Sequence, residues 1–263
     1  NIKIGLNKNI FFEKKDGSVW VDLSKQSLDN KLLLRSDGTS VYITQDIGTA
    51  IKRFKDYPKI KKQIYTVGNE QDYHFKVLFK ILEKLGYEWA KECYHLSYGM
   101  VDLPDGKMKS REGNVVDADD LVNHMVKTAK SRTEELGKID DFDPKDSVEL
   151  YNIIALGALK YYLLKVDPKK KMLFDPEESI DFHGNTGPFI QYTYARIRSI
   201  IRRAKSLNIK YDKFNFEQIK NISNGQKKII DHIYQLPKII KISSDSYSPS
   251  LISQFIYDLS KLF

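Results

Sequence analysis

Three stretches in the first half of the sequence hold the residues best suited to chemistry. In Tyr42-Ile-Thr-Gln-Asp46 a phenol and a carboxylate stand four residues apart. Such a carboxylate can take a bidentate pair from a guanidinium, and the phenol adds a hydroxyl or a stacking face. Asp46 could equally serve as a helix cap. The second stretch is Val67-Gly68-Asn69-Glu70-Gln71-Asp72-Tyr73-His74-Phe75. Gly68 lets a ligand approach the backbone closely. Gln71 and His74 share a face at a helix start, where free N–H groups meet polar ligands; a core histidine behind a strand-end glycine is the plainer alternative. The third stretch runs from Gly99 to Asn114. It places Lys107, Lys109 and Arg111 beside Ser110, after Pro104 and Gly106. Such a loop can stabilise charge developing on a departing pyrophosphate, although a solvated basic loop would have a similar composition.

The surrounding pattern says which elements position these groups. Residues 1 to 40 read as β. Asp16-Gly17 is a hairpin turn signal before the alternating Val19, Val21 and Leu23, and Lys31 to Arg35 is a short strand closed by Ser36-Asp37-Gly38. The apolar run Val41-Tyr42-Ile43 reads as a strand. Ile47, Ala50, Ile51 and Phe54 then follow one helix face. Ile64 to Val67 reads as a buried strand, Gln71 to Leu85 as a helix ended by Gly86, and Cys93 to Tyr98 as a third strand. This β-α-β-α-β order predicts a parallel, doubly wound sheet. Ligands bind beyond the carboxyl ends of such strands, where the three polar stretches fall.

From about residue 117 the strand signals stop. Asp117 and Asp120 suit a helix N-terminus, with Val122, Met125, Val126, Ala129, Thr133 and Leu136 on its apolar face. Asp140 to Asp146 reads as an acidic linker. Helices are expected from about Leu150 to Leu164 and from Gly187-Pro188 onward, the latter with Ile190, Tyr194, Ile197, Ile201 and Ala204 facing inward. Residues 206 to 226 read as a polar loop, and a last helix reaches Phe263. Tyr192 and Tyr194 are expected in the core. Arg198, Arg202 and Lys205 form a basic row suited to phosphate contacts, or a solvated face.

Composition narrows the classes. The chain has 263 residues, 41% of them hydrophobic and 30% charged, as in an ordinary globular protein. No run approaches the roughly 18 apolar residues of a membrane span, and Asn1-Ile-Lys-Ile-Gly-Leu6 lacks a signal-peptide pattern. Cys93 is the only cysteine, which excludes an internal disulfide or a thiolate zinc site. A cytoplasmic location fits. The net charge of +8 favours a polyanionic partner.

Taken together, these segments resemble arginyl-tRNA synthetases. Gly106 to Asn114 is similar to the Lys-Met-Ser-Lys-Ser-type loop of class I aminoacyl-tRNA synthetases. Tyr42 to Asp46 resembles the Tyr-x-Thr-x-Asp segment of the arginine enzymes, and Val67 to Phe75 their Val-Gly-x-x-Gln-x-x-His-Phe segment. Asn185 to Arg196 resembles the entry to their anticodon-binding domain. The likeness covers most of residues 1 to 205. It departs at Lys107-Met-Lys-Ser-Arg111, where Ser110 takes the usual second lysine position and leaves Lys109 and Arg111 as candidates to meet the pyrophosphate. No His-x-Gly-His sequence is present, and with the non-Met start this reads as a piece of a longer chain.

The resemblance implies an α/β fold: residues 1–145 as the second half of a doubly wound, Rossmann-like catalytic domain, and 146–263 as an all-α helical bundle that binds the anticodon. It implies an arginine–tRNA ligase using arginine, ATP with Mg²⁺ and tRNA(Arg), monomeric and without a resident metal. Tyr42, Asp46 and Gln71 would bind arginine. Gly68, His74, Met100, Val101 and Met108 would border ATP, and Lys107, Lys109, Ser110 and Arg111 would act on the phosphates. Arg198, Arg202 and Lys205 would meet tRNA. The isolated chain is expected to be inactive. The alternatives are a non-catalytic RNA-binding relative and another class I synthetase. The residues at 42, 46 and 71 speak against the first. The single cysteine and the carboxylate in the amino-acid pocket speak against the second.

Overall fold

In the computed structural model the turn at Asp16-Gly17 closes a hairpin. Gly17 has a φ of +83°, and the Asp16 carboxylate accepts hydrogen bonds from the backbone and side chain of Ser18. Strands β1 (Phe11–Glu13), β2 (Val19–Val21) and β3 (Lys31–Leu34) form an antiparallel meander in the order β1-β2-β3. Residues 1–102, 117–135, 143–209 and 221–263 are described. They divide into two units, Asn1–Gly99 and Met100–Phe263.

The first unit corrects two expectations. Its opening is helical rather than β: α1 spans Ile2–Asn7. Ile2 and Leu6, one turn apart, pack against the unit's core, and Gly5 sits under the ring of Phe11. The run at Val41 to Ile43 is likewise no strand. Val41 is the N-cap of α2 (Tyr42–Asp56), whose buried residues Ile43, Ile47 and Ala50 recur at helical spacing. The Thr44 hydroxyl donates to the Leu33 carbonyl, which ties the first turn of α2 to β3.

After α2 come β4 (Gln63–Gly68), α3 (Asp72–Lys84) and β5 (Cys93–Tyr98). β4 and β5 pair in parallel, from Gln63 opposite Cys93 to Gly68 opposite Tyr98. Gly86, with φ +91°, ends the α3 segment as the sequence predicts. Phe75, Val77, Leu78, Ile81 and Leu82 of α3 join Ile43 and Ile47 of α2 and Leu33 of β3 in one buried cluster.

The second unit begins with β6 (Val101–Asp102). It pairs in parallel with β7 (Met172–Leu173), and the Phe174 amide donates to the Asp102 carbonyl at 2.8 Å. Helix α4 (Ala118–Glu135) is capped by Asp117, whose carboxylate accepts from the Asp119 amide at 2.8 Å. Helix α5 (Pro144–Leu164) starts earlier than its apolar pattern suggests. Asp143 is its N-cap and Pro144 its first residue, where a missing N–H costs nothing. Met125 and Ala129 of α4 pack on Ile154, Ala155 and Ala158 of α5, with Phe174 and Ile180 completing the core. That core lies on both sides of residue 145, where the sequence places its domain boundary.

Helices α6 (Pro176–Ser179) and α7 (Gly187–Ser206) each open with a side-chain cap and a proline. Gly187 seats α7 against α5, where any Cβ would meet the Gly157 carbonyl. The Tyr161 hydroxyl donates to Asn185 Oδ1 at 2.5 Å, and the Lys165 ammonium donates to the Asn185 carbonyl at 3.1 Å. Helices α8 (Asn224–Tyr234), α9 (Leu236–Ser246) and α10 (Ser250–Leu262) close the chain. Ser223 and Gln226 form a capping box at α8, and His232 stacks on Phe255 of α10 at 4.2 Å. Tyr192 and Tyr194 are exposed, not core. The buried side of α7 is centred on Gly187 and Thr193, with Ile190, Ile197 and Ile201 partly covered.

Candidate functional site

Five of the predicted site residues belong to the first unit. Tyr42 and Asp46 occupy successive turns of α2, which places them on one helix face. Tyr42 is 84% exposed, so its ring is available to a ligand. Gly68 ends β4 beside Tyr98. A short 3₁₀ turn, Asn69–Gln71, then leads into α3, with Gln71 at its N-cap and His74 in its first turn.

A side-chain hydrogen bond joins the two helices beside their shared apolar core. His74 Nε2 lies 2.7 Å from Asp46 Oδ2. A carboxylate can only accept, so the imidazole donates. The two side chains are 20% and 44% exposed, enough for an incoming group to reach Asp46 without unfolding anything. The pair uses Oδ2, and Oδ1 makes no hydrogen bond among the described residues. A partly exposed pair of this kind is worth about 1 kcal/mol or less. It therefore orients Asp46 without locking it away from a stronger charged partner. The family resemblance assigns His74 to the nucleotide; the α2–α3 packing places it against the carboxylate.

Behind this pair the sheet carries a second histidine contact that sequence reasoning missed. His95 of β5 lies 3.0 Å from the Val67 carbonyl through Nε2 and 3.3 Å from Asp72 through Nδ1. Its ring stacks on Phe75 at 4.3 Å. It thereby fixes the carboxyl end of β4 against the start of α3. Its signal was its place on β5, three residues before the strand end. Opposite His95 on β4, burial pushes the Tyr65 phenol up to about 12. Burial, reinforced by the Glu92 charge, pushes the Cys93 thiol up to about 11. Cys93 is thus a neutral core residue, not a nucleophile.

The remaining candidates fall within the span of the second unit. Met100 and Val101 are held at β6: the Met172 amide donates to the Met100 carbonyl at 3.2 Å, and Val101 packs on the helical core. Lys171 pairs with Asp102 at 3.4 Å. Lys107, Met108, Lys109, Ser110 and Arg111 lie outside the described residues, as do Leu136, Asp140 and residues 210–220. Arg198, Arg202 and Lys205 are all exposed on α7, which continues through all three positions. Among the described residues there is no cluster of potential metal ligands and no helix long and apolar enough to cross a membrane.

A parallel strand pair with polar residues at its carboxyl ends, followed in the chain by a run of helices, makes an α/β segment followed by a helical one. The chain belongs to the family described as tRNA synthetases class I (R), catalytic domain, which it matches over residues 1–175. Residues 190–263 match the DALR anticodon binding domain. Similar proteins include the arginine–tRNA ligase of Flavobacterium psychrophilum, 56% identical over 264 residues, which span 99% of this chain and 42% of that protein. The arginine–tRNA ligase of Bacteroides thetaiotaomicron is 56% identical over 260 residues, spanning 98% and 43%. The chain thus spans less than half the length of these relatives. The fold is similar to that of Thermus thermophilus arginyl-tRNA synthetase, with a TM-score of 0.83 at 22% identity, over 99% of this chain and 48% of that one.

Proposed function

We propose that the chain works as part of an arginine–tRNA ligase. ATP and arginine give arginyl-adenylate and pyrophosphate: the arginine carboxylate attacks the α-phosphorus and the bond to the β-phosphate oxygen breaks. The 2′-hydroxyl of the terminal adenosine of tRNA(Arg) then takes the arginyl group and releases AMP. The observation that carries this reading is the Asp46 carboxylate, oriented by His74 at 2.7 Å and sharing its helix face with the exposed Tyr42. A guanidinium needs such a partner. Membership of the synthetase family supplies the reaction.

In this proposal Tyr42, Asp46 and Gln71 hold arginine. Gly68, His74, Met100, Val101 and Met108 border ATP, and the Lys107, Lys109, Ser110 and Arg111 loop steadies the pyrophosphate. Catalysis rests on orientation and charge stabilisation. Mg²⁺ enters with ATP as part of the substrate. Residues 1–145 serve catalysis and 146–263 serve tRNA, with Arg198, Arg202 and Lys205 on its phosphates. The protein acts in the cytoplasm as a monomer.

The test is Asp46→Asn in the protein expressed from its complete coding sequence. Losing a charge-assisted pair of about 2 kcal/mol lowers kcat/KM for arginine roughly 30-fold in arginine-dependent pyrophosphate exchange, with the KM for ATP nearly unchanged. Unaltered arginine kinetics would remove Asp46 from the role.

A further inference from the structure

The first unit carries a concave surface that the reading above does not use. It lies at the end of α2 remote from Asp46. Lys55 is nine residues beyond Asp46 on that helix, roughly 13 Å along the axis. From Lys52 to Lys62 the chain holds six Lys or Arg residues and one carboxylate, Asp56, a local net charge of +5. Three of the six are already engaged: Lys52 pairs with Asp56 at 2.9 Å, Arg53 lies over the Tyr65 ring, 5.9 Å from its centroid, and Lys62 has an interaction of its own. Lys55, Lys59 and Lys61 make no ion pair among the described residues. A cation at a helix C-terminus complements the helix dipole, which accounts for Lys55. It does not account for Lys59 and Lys61, which lie beyond the helix.

These lysines accompany an aromatic cleft of about 400 Å³. Trp89 stacks on Phe54 at 4.1 Å and leans on Tyr87 at 4.9 Å. The loop after α2 contributes Pro58 and Ile60, and Lys55 and Lys61 are part of the lining. Nearby, Tyr57 is 64% exposed, a large apolar surface left in water. The volume falls in the roughly 300–1,000 Å³ range of small-ligand sites. Flat aromatic surface for a base and unpaired lysines for its neighbouring phosphates is the combination that holds single-stranded nucleic acid.

We propose that this cleft binds single-stranded RNA, with one base against the Trp89–Tyr87 surface and flanking phosphates on Lys55, Lys59 and Lys61. The proposal rests on the tRNA-dependent function above and adds a contact to it. Because the cleft is at the far end of α2, the strand held there is an anchor, not the reacting terminus.

The test measures fluorescence anisotropy of a short, labelled, single-stranded RNA of mixed sequence across a salt series. The full chain is compared with the double variant Lys55→Glu/Lys61→Glu, with circular dichroism confirming that both fold. Each lost phosphate contact lowers the slope of log K against log salt by roughly 0.7, so the double variant loses roughly 1.4 and binds at least about tenfold more weakly. Photo-crosslinking with 4-thiouridine RNA places adducts on the peptide carrying Tyr87 and Trp89. Equal binding by the double variant overturns the proposal, as do crosslinks confined to α7. Competition by polyglutamate as strong as by polyuridylate overturns it in favour of an acidic protein partner. Failure of arginine-dependent exchange, by contrast, bears on the ligase reading and leaves the RNA measurement standing on its own.

Discussion

Gly187→Ala sets two physical effects against each other, and the structure says which wins. Helix propensity favours the substitution: removing glycine from a helix gains about 0.5–1 kcal/mol. Packing opposes it. A Cβ at 187 would collide with the Gly157 carbonyl oxygen, 2.7 Å from that carbonyl carbon and 3.1 Å from the Ala158 nitrogen. These are backbone atoms of α5 and cannot rotate aside, so the two helices must separate. Overpacking of this kind costs about 1–3 kcal/mol, which leaves a net destabilisation of about 1–2 kcal/mol. Over the second unit, residues 100–263, that lowers the melting temperature by roughly 3–6 °C. Gly157→Ala is the matched control. The three atoms nearest its Cβ would all belong to the end of the Gln191 side chain, which can swing away. The cost is the exposed hydrogen bond from Gln191 Nε2 to the Ile153 carbonyl, about 1 kcal/mol, nearly offset by helix propensity. Differential scanning calorimetry of the three proteins decides. A melting temperature for Gly187→Ala at or above the parent's would refute the close-packing argument.

Tyr161→Phe removes the hydrogen bond to Asn185 and should cost about 1 kcal/mol, read by urea denaturation. Phe174→Ala empties a position with no solvent exposure and should cost about 3–5 kcal/mol, enough to abolish the cooperative transition of the second unit in calorimetry. Burial raises the pKa values of Cys93 to about 11 and of Tyr65 and Tyr162 to about 12, so the folded state keeps protons that the unfolded chain releases. Their contribution is complete below about pH 9 and lost as pH rises toward 12; Cys93→Ser should flatten the lower part of that decline in a pH series of melting temperatures. In the folded protein at neutral pH, Cys93 should react with iodoacetamide far more slowly than after denaturation, and equal rates would show the thiol is not shielded.

The periodic elements are legible from the sequence because burial imposes its spacing on them. The helix through Leu78 and Leu82 and the stop at Gly86 appear where the pattern puts them; the strand at Ile64 does too, but with Ile64 44% exposed it is not the buried strand its apolar run predicts. The sequence misleads where two patterns overlap. Val41-Tyr42-Ile43 resembles a strand when taken alone. Ile43 nevertheless extends the Ile47–Ala50 face by one helical turn, and that longer period wins because β3 is already placed to receive it. Asp143-Pro144 has the composition of a linker, although aspartate followed by proline is also a cap and first residue. Tyr194 carries the right spacing for an inner face but lies one position from Thr193, about which that face turns. At the site, residue types alone single out Asp46 and Tyr42 as a pair. The partnership of Asp46 with His74 is a tertiary contact over 28 residues, which no local spacing encodes.

The β6–β7 pair has a consequence in time. Val101 meets Met172, a partner 71 residues further along the chain. At roughly 5–20 residues per second, a ribosome delivers β7 some 4–14 s after β6. The first unit ends at Gly99 and has all its strands in hand by then. The second must wait: α5 can cover the helix α4 face first, but the core that holds Val101 stays incomplete until Phe174 emerges. In that interval chaperone occupancy should be highest on α4, and slowing translation between β6 and β7 should lengthen it.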